Sequence, residues 1–155
     1  MLSVFVVNAD HDAIDTNPGD GVAEDSVGWT TLRAAVMEAN ALPGDDTIVL
    51  PSGTYVLDIM ALYENWTGYG DLDVTSNISI IGSDAETTII DASSLHGRVF
   101  DLPYGNYDLQ LEHLTITGGM AQGDSSHTDE DDGGAIRMDF YTSVTITDCR
   151  IANVA

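Results

Sequence analysis

The sequence predicts an all-β fold in which short strands stack into a parallel β-helix behind one short helix. Two observations support this prediction. Short β-branched stretches, separated by Gly, Pro and Asp, run through most of the 155-residue chain. A strand-forming unit also recurs at spacings of 31 and 35 residues. Repeats of this length that alternate with period two indicate a stack of strands and exclude helical repeats.

The repeat is clearest where residues 108–119 (DLQLEHLTITGG) align with residues 143–154 (SVTITDCRIANV). An earlier partial copy, NISIIG at residues 77–82, aligns Ile78 and Ile80 with the same unit. After two alternating apolar positions the next one comes three residues later, which predicts a strand, a bend and a second strand. The positions expected to point inward are Leu109, Leu111, Leu114 and Ile116 in one copy and Val144, Ile146, Cys149 and Ile151 in the other.

A short helix is predicted within residues 30–55 (TTLRAAVMEANALPGDDTIVLPSGTY). One helical face is apolar and should cover the open end of the β-structure; it consists of Leu32, Ala35, Val36 and Ala39. Thr30 or Thr31 is expected to cap the helix, and Asn40 with Pro43-Gly44 to end it. Arg33 lies off this face, and we expect a buried or half-buried ion pair with Asp45, Asp46 or a loop carboxylate.

Strands are predicted at residues 3–7, 47–50, 54–59, 72–74, 77–81, 87–91, 98–102, 108–117, 135–139 and 143–151. We divide the chain into an N-terminal cap, residues 1–59, and β-helix coils, residues 60–155. The last coil has no polar cap after Val154-Ala155, so we expect further coils, another copy or another domain to stack on it.

The chain is strongly acidic, with 26 Asp and Glu residues, four Arg, no Lys and a net charge of −22. This charge argues against nucleic acid and against anionic membrane surfaces, and it favours cations as partners. Insertion into a membrane is not expected, because the longest apolar runs are far shorter than the roughly 20 residues that a spanning helix needs. Two explanations remain open: specific Ca²⁺ binding, or a generally acidic surface suited to a saline medium. Cys149 is the only cysteine, so no intrachain disulfide is possible, and an inert buried thiol is expected.

The loop that precedes the helix offers oxygen ligands at alternating spacings, which predicts a calcium site. These ligands are Asp10, Asp12, Asp15, Asn17, Asp20, Glu24 and Asp25. The spacing departs from an EF-hand, and the alternative is a solvated acidic loop with Asx-turns. A second acidic group, which we interpret mainly as a solvated loop, comprises Asp124, Asp129, Glu130, Asp131 and Asp132.

The stretch FVVNADHDAIDTNPGDGVAEDSVGWTTLRAAVMEANALPGDDTIVLPSGTYVL resembles the N-terminal CSLREA module, and the following GDLDVTSNISIIGSDAETTIIDAS resembles the coils behind it. The chain departs from that module at residues 30–35, where TTLRAA stands in place of Cys-Ser-Leu-Arg-Glu-Ala. The resemblance implies an all-β, right-handed parallel β-helix (solenoid) segment of the pectin-lyase-like type with a short N-terminal capping α-helix. It also implies an extracellular or cell-surface location in bacteria, although this chain carries no signal peptide, and it implies no defined activity.

Three aspartates each follow a short apolar strand and suggest a catalytic interpretation: Asp91, Asp101 and Asp139. Stacked on one face, they would resemble the carboxylate pair of glycoside hydrolases, but Asp also commonly ends strands and begins turns. Aromatic residues that would stack on sugars or pack over coil ends are Tyr63, Trp66, Tyr69, Tyr104 and Tyr107. We assign no catalytic residue. The sequence favours a structural or adhesive module that calcium stabilises, and the alternative is part of a polysaccharide-acting lyase or glycoside hydrolase.

Overall fold

A computed structural model describes residues 2–60, 70–120 and 134–155, which contain one α-helix and twelve short strands. The helix α1 spans Leu32–Ala41. The strands are β1 Val4–Val6, β2 Asp45–Leu50, β3 Gly53–Val56, β4 Leu72–Asp73, β5 Asn77–Gly82, β6 Thr88–Asp91, β7 Phe100–Leu102, β8 Asp108–Glu112, β9 Thr115–Thr117, β10 Ile136–Met138, β11 Ser143–Thr147 and β12 Arg150–Ala152. The predicted strands are present, and the stretches 108–117 and 143–151 each divide into two.

The strands form three parallel sheets. The first sheet has the order β1-β2-β5-β8-β11, the second β12-β9-β6-β3, and the third β10-β7-β4. From β2 onward, successive strands of the chain enter different sheets, and every paired neighbour runs parallel to its partner. A buried apolar core lies on the inner side of these strands.

The expectation of an all-β right-handed parallel β-helix is wrong. The described residues form three separate parallel sheets and one helix, and they do not show a closed solenoid. The helix belongs to the core, since every residue from Leu32 to Ala39 is buried. The strand pattern misled the prediction because alternating apolar residues at a fixed spacing require only a parallel stack and carry no information about closure or handedness.

The predicted register is confirmed. Leu109 pairs with Val144 and Leu111 with Ile146, at the 35-residue spacing. Ile78 and Ile80 pair with Leu109 and Leu111 at the 31-residue spacing. Leu109 and Leu111 are fully buried, whereas Val144 is half-buried and Ile146 is exposed, because β11 is the last strand of its sheet.

The predicted bend between the paired strands is also present. It contains His113 in one copy and Asp148 in the other, and both adopt a left-handed backbone conformation with φ of 54° and 50°. The turn that ends each copy repeats this feature at Gly118 and Asn153, with φ of 79° and 52°. The three-residue gap in the apolar pattern therefore marks a backbone turn that both copies of the repeat share, and the repeat continues through it.

The helix begins and ends close to the prediction. Thr31 is the N-cap, and its side chain accepts a hydrogen bond from the backbone N–H of Ala34. At the C-terminal end of the helix, the backbone N–H of Leu42 donates a hydrogen bond to the backbone carbonyl of Glu38. Packing against β2, β4 and β5 buries the predicted apolar face together with Arg33, as its expected ion pair requires. It also buries Glu38, which a single-face prediction leaves in solvent. Among the described residues, no helix has the length and hydropathy needed to cross a membrane.

Candidate functional site at the acidic loop

The acidic loop, residues 10–25, is hydrogen-bonded both to the N-cap residue of helix α1 and to a side chain within the helix. The Thr31 hydroxyl that caps the helix also donates a hydrogen bond of 2.6 Å to the carbonyl of Ala13. The backbone N–H groups of Gly19 and Gly21 donate to the buried carboxylate of Glu38. The loop is therefore held by polar contacts to buried helix atoms, which position its carboxylates.

Asp12 is committed to a buried ion pair with Arg33. Its Oδ1 lies 2.7 Å from Nε of Arg33, its Oδ2 lies 3.0 Å from Nη2, and both side chains are buried. Oδ2 also accepts the backbone N–H groups of Asp58 and Ile59 at 2.9 Å. Arg33 in turn donates to the carbonyl of Gly70 at 2.8 Å. The prediction that Arg33 pairs with a loop carboxylate is confirmed. In these contacts the partner is Asp12, and the other two predicted partners, Asp45 and Asp46, do not take part.

Asp25 organises the turn just before the helix. Its Oδ1 accepts the backbone N–H groups of Val27 and Trp29, both at 2.9 Å, and its Oδ2 lies 2.9 Å from Nε2 of His11. Burial by itself raises the pKa of this carboxyl, but the hydrogen bonds from Trp29, His11 and Val27 outweigh it and lower the pKa below its usual value. The Asp25 carboxylate is therefore stabilised in its charged form, and it holds this turn by accepting hydrogen bonds.

Asp15 and Glu38 bring two carboxyl groups together in a buried position. Oδ1 of Asp15 accepts the backbone N–H of Asn17 at 2.9 Å, while its buried Oδ2 has no hydrogen-bond partner among the described residues. The pKa of Asp15 is raised to about 6: burial is the largest cause, the Asn17 hydrogen bond opposes it, and the nearby Glu38 carboxylate adds to the rise. Glu38 was missed by the sequence interpretation because a glutamate on a helix ordinarily faces solvent.

The remaining predicted ligands lie at the surface. Nδ2 of Asn17 donates to Oδ2 of Asp20 at 2.9 Å, and Oδ1 of Asp20 accepts the backbone N–H of Val22 at 2.9 Å. Asp10 and Glu24 are exposed. Within residues 2–60, 70–120 and 134–155, no group of three His, Cys, Asp or Glu side chains is arranged to hold a metal ion. The calcium site stays a prediction, with Asp12 and Asp25 occupied by other contacts.

A second charged group lies along the third sheet. Asp73, Asp101 and Arg137 occupy one register row across β4, β7 and β10. Nη1 of Arg137 lies 2.9 Å from Oδ1 of Asp101, its Nη2 lies 3.8 Å from Oδ2 of Asp139, and Arg98 lies 3.5 Å from Asp101. Two of the three aspartates weighed for catalysis therefore share an arginine.

The third aspartate is placed elsewhere. Asp91 ends β6 in the second sheet, and its Oδ1 accepts the backbone N–H of Ser93 at 2.9 Å. Asp139 makes a comparable contact, since its Oδ1 accepts the backbone N–H of Phe140 at 2.6 Å. Both follow the alternative interpretation in which Asp ends a strand and begins a turn.

Three aromatic side chains are exposed beside Asp139. Tyr104 is 68% exposed, Phe140 76% and Tyr141 74%. The rings of Tyr104 and Tyr141 meet edge to face with centroids 5.7 Å apart, and Tyr141 has a φ of 67°. Phe140 and Tyr141 were not singled out from the sequence, because only the register between β7 and β10 brings them next to Tyr104. Tyr107 instead donates its hydroxyl to the carbonyl of Pro103.

The other residues considered from the sequence lie outside the described residues. They are Tyr63, Trp66, Tyr69, Asp124, Asp129, Glu130, Asp131 and Asp132. The chain matches no protein-family model, no curated protein and no solved structure. The resemblance to the CSLREA module therefore stays an expectation from the sequence.

Proposed function

We propose that the chain is a structural or adhesive module of an extracellular or cell-surface protein. The observation that supports this proposal is the end of the stack formed by β11 and β12. These strands are the last members of two neighbouring sheets, and their apolar residues Ile146 and Ile151 are exposed there. An exposed strand edge with apolar side chains is a surface on which further structure adds.

The use of the scarce cations agrees with a structural role. Arg33 is buried against Asp12, and Arg137 and Arg98 are held at Asp101. Two of the four arginines, Arg33 and Arg137, join strands or loops that are far apart in the chain. A buried guanidinium that satisfies a carboxylate and backbone carbonyls fixes the fold and is poorly suited to take a proton from a substrate.

Calcium stabilisation of the acidic loop is part of the proposal. The buried Oδ2 of Asp15, which lacks a described hydrogen-bond partner, lies near Glu38 and Asp20, whose charges raise its pKa. Carboxylate oxygens of this kind suit Ca²⁺, which takes oxygen ligands from side chains, backbone and water. In this proposal Asp15 and Asp20 are the residues that bind Ca²⁺, rather than all seven residues that the sequence spacing indicated.

The exposed aromatic group favours a second candidate function, action on a polysaccharide. Tyr104, Phe140 and Tyr141 present ring surfaces beside Asp139, which lies 3.8 Å from Nη2 of Arg137, and Arg137 also pairs with Asp101. Exposed rings next to hydrogen-bonding groups suit a sugar ring, which has an apolar face and polar edges. This candidate differs from the first in requiring bond cleavage.

One experiment separates these candidates. Beads coated with the chain are passed under flow over surfaces coated with neutral polysaccharides, acidic polysaccharides or protein, while the soluble chain is incubated with the same polysaccharides. A structural or adhesive module is expected to retain beads and to release neither reducing ends nor unsaturated uronates. Release of either product, reduced by Asp139→Asn with Asp101→Asn, would replace the structural proposal with the enzymatic one.

A further inference from the structure

The exposed aromatic group of Tyr104, Phe140 and Tyr141 lies on the two turns that follow β7 and β10. The rings of Tyr104 and Tyr141 stand at 85° to each other, with centroids 5.7 Å apart. The backbone N–H of Gly105 donates to the carbonyl of Phe140 at 3.4 Å, which links the two turns. Two neighbouring parallel strands therefore present their aromatic residues together, and the two tyrosine rings form a corner.

The exposure of these rings arises from the direction of the turns and not from an unpaired strand. β7 is paired on both sides, with β4 and with β10, and Tyr104 in the turn after it is still 68% exposed. Leu102, which points inward from β7, has no exposed surface. A strand added beside β10 would therefore cover Met138, the register partner of Leu102, and leave the outward rings at the surface.

The backbone at Tyr141 is strained in a way that favours a role for its ring. Its φ is 67°, in the left-handed region. The other described non-glycine residues with positive φ are His, Asp or Asn, the types enriched in this region: His96, His113, Asp148 and Asn153. A bulky aromatic residue is strained there, and burial does not compensate because Tyr141 is 74% exposed. Strain of this kind clusters at ligand-binding sites.

The side chains beside the rings carry charges of both signs. Asp139 and Arg137 are 29% and 18% exposed, and Oδ2 of Asp139 lies 3.8 Å from Nη2 of Arg137. A sugar ring with equatorial hydroxyls has an apolar face that stacks on an aromatic ring and edge hydroxyls that bond to a carboxylate or guanidinium. The net charge of −22 repels acidic sugars, so a neutral glycan fits this surface best.

We propose that the corner formed by Tyr104 and Tyr141 binds a neutral, β-linked glycan with equatorial hydroxyls. Because the two rings are nearly perpendicular, one stacks on the face of a sugar while the other contacts the edge of that sugar. Asp139 and Arg137 bond to its hydroxyl groups. The proposal rests on the proposed adhesive role and names the class of molecule that the module holds.

Isothermal titration calorimetry of the whole chain with cellohexaose, chitohexaose and an oligogalacturonate hexamer tests the proposal. We expect at least one of the two neutral hexamers to bind and the acidic hexamer to bind about tenfold more weakly or not at all. Tyr104→Ala and Tyr141→Gly should each weaken the neutral complex about tenfold or more, as loss of an aromatic anchor does. Tyr141→Gly should do so without lowering the melting temperature, because Gly adopts the left-handed region without strain.

The matched control is Trp29→Ala, which removes an aromatic side chain of a residue that is 50% exposed, in the segment before α1. It should leave the affinity unchanged, and circular dichroism shows that each variant is folded. No binding of either neutral hexamer, equal binding of the acidic hexamer, or parent-like affinity of folded Tyr104→Ala and Tyr141→Gly would overturn the proposal. Equal weakening by Trp29→Ala and Tyr104→Ala would overturn it as well.

The bead experiment is read independently of this one. Retention of beads on protein surfaces alone, without glycan binding in calorimetry, keeps the adhesive role and rejects the glycan site. Glycan binding in calorimetry without bead retention keeps the glycan site and rejects adhesion. Retention on neutral polysaccharide that is lost with Tyr104→Ala supports both.

Discussion

Nε of Arg33 lies 2.7 Å from Oδ1 of Asp12, and neither side chain has exposed surface. The two residues are 21 positions apart, and their contact joins the acidic loop to the helix that packs on the first sheet. Asp12 also accepts the backbone N–H groups of Asp58 and Ile59, so one carboxylate connects the loop, the helix and the segment that follows β3.

Replacing Arg33 with Met should therefore lower the free energy of unfolding by about 3–5 kcal/mol, because Asp12 stays buried without its cation. Urea unfolding at pH 7 measures the change. Arg150→Met, at an exposed arginine, should change it by less than about 0.5 kcal/mol. In the double variant with Asp12→Asn the losses should be less than additive, and strict additivity would show that the pair is not coupled.

Asp15 predicts an unusual dependence of stability on pH. Its pKa is raised from 3.8 to about 6 in the folded protein, so between these values the folded state holds a proton that the unfolded state has lost. The free energy of unfolding should fall as pH rises through this window, by at most about 3 kcal/mol from this group. Asp15→Asn should then be close to neutral at pH 4 and stabilising at pH 7.

Thermal melts in chelator from pH 4 to pH 7.5 check this expectation. Asp58→Asn, which removes a carboxylate from an exposed residue, provides the control and should shift both ends of the profile equally. If Asp15→Asn follows the control across the window, burial beside Glu38 does not determine the titration of Asp15.

Val36 tests the helix as a part of the core. Its side chain has no exposed surface, and α1 packs against β2. Val36→Asp places an unpaired charge in that contact and should cost about 3–5 kcal/mol. Val27→Asp makes the same change at a residue that is exposed and should be nearly neutral in the same urea titration. Similar midpoints for the two variants would contradict the placement of the helix.

Gly118 tests the turn that the repeat shares with Asn153. Its φ is 79°, and a Cβ atom added there would lie 2.4 Å from the backbone nitrogen of Ser93. Gly118→Ala should therefore cost about 3 kcal/mol from overlap and left-handed backbone strain. Gly97→Ala meets no atom within 4 Å and should leave the melting temperature unchanged or slightly higher. A parent-like melt for Gly118→Ala would reject this turn geometry.

Calcium should raise the melting temperature if Asp15 and Asp20 hold it. A ligand that binds only the folded state adds about 2.7 kcal/mol at a hundredfold excess over its dissociation constant. Millimolar CaCl₂ at constant ionic strength should therefore stabilise the parent, whereas Asp15→Asn with Asp20→Asn should show no calcium-specific gain. Equal melts in calcium and in chelator would leave the net charge of −22 as a property of the surface alone.

Much of the strand arrangement was predictable because it depends on local alternation. The period-two pattern placed Leu109 opposite Val144 and Leu111 opposite Ile146, and a shift of one residue would have turned each to the other face.

Another local signal was overlooked: Pro51-Ser-Gly-Thr-Tyr55 and Pro103-Tyr-Gly-Asn-Tyr107 share the pattern P-x-G-x-Y. In both, the Tyr hydroxyl donates to the Pro carbonyl, so the repeat extends to the turns.

The sequence by itself determined the strands, their register and the capped helix, because propensity, periodicity and capping act over a few residues. Tertiary structure alone decided how the strands divide into three sheets and which charges are neutralised. Asp12, Asp15 and Asp25 look alike in the acidic loop, yet one is bound by Arg33, one lies beside Glu38 and one accepts backbone N–H groups. These partners differ because burial and charge depend on which distant groups the fold brings within a few ångströms.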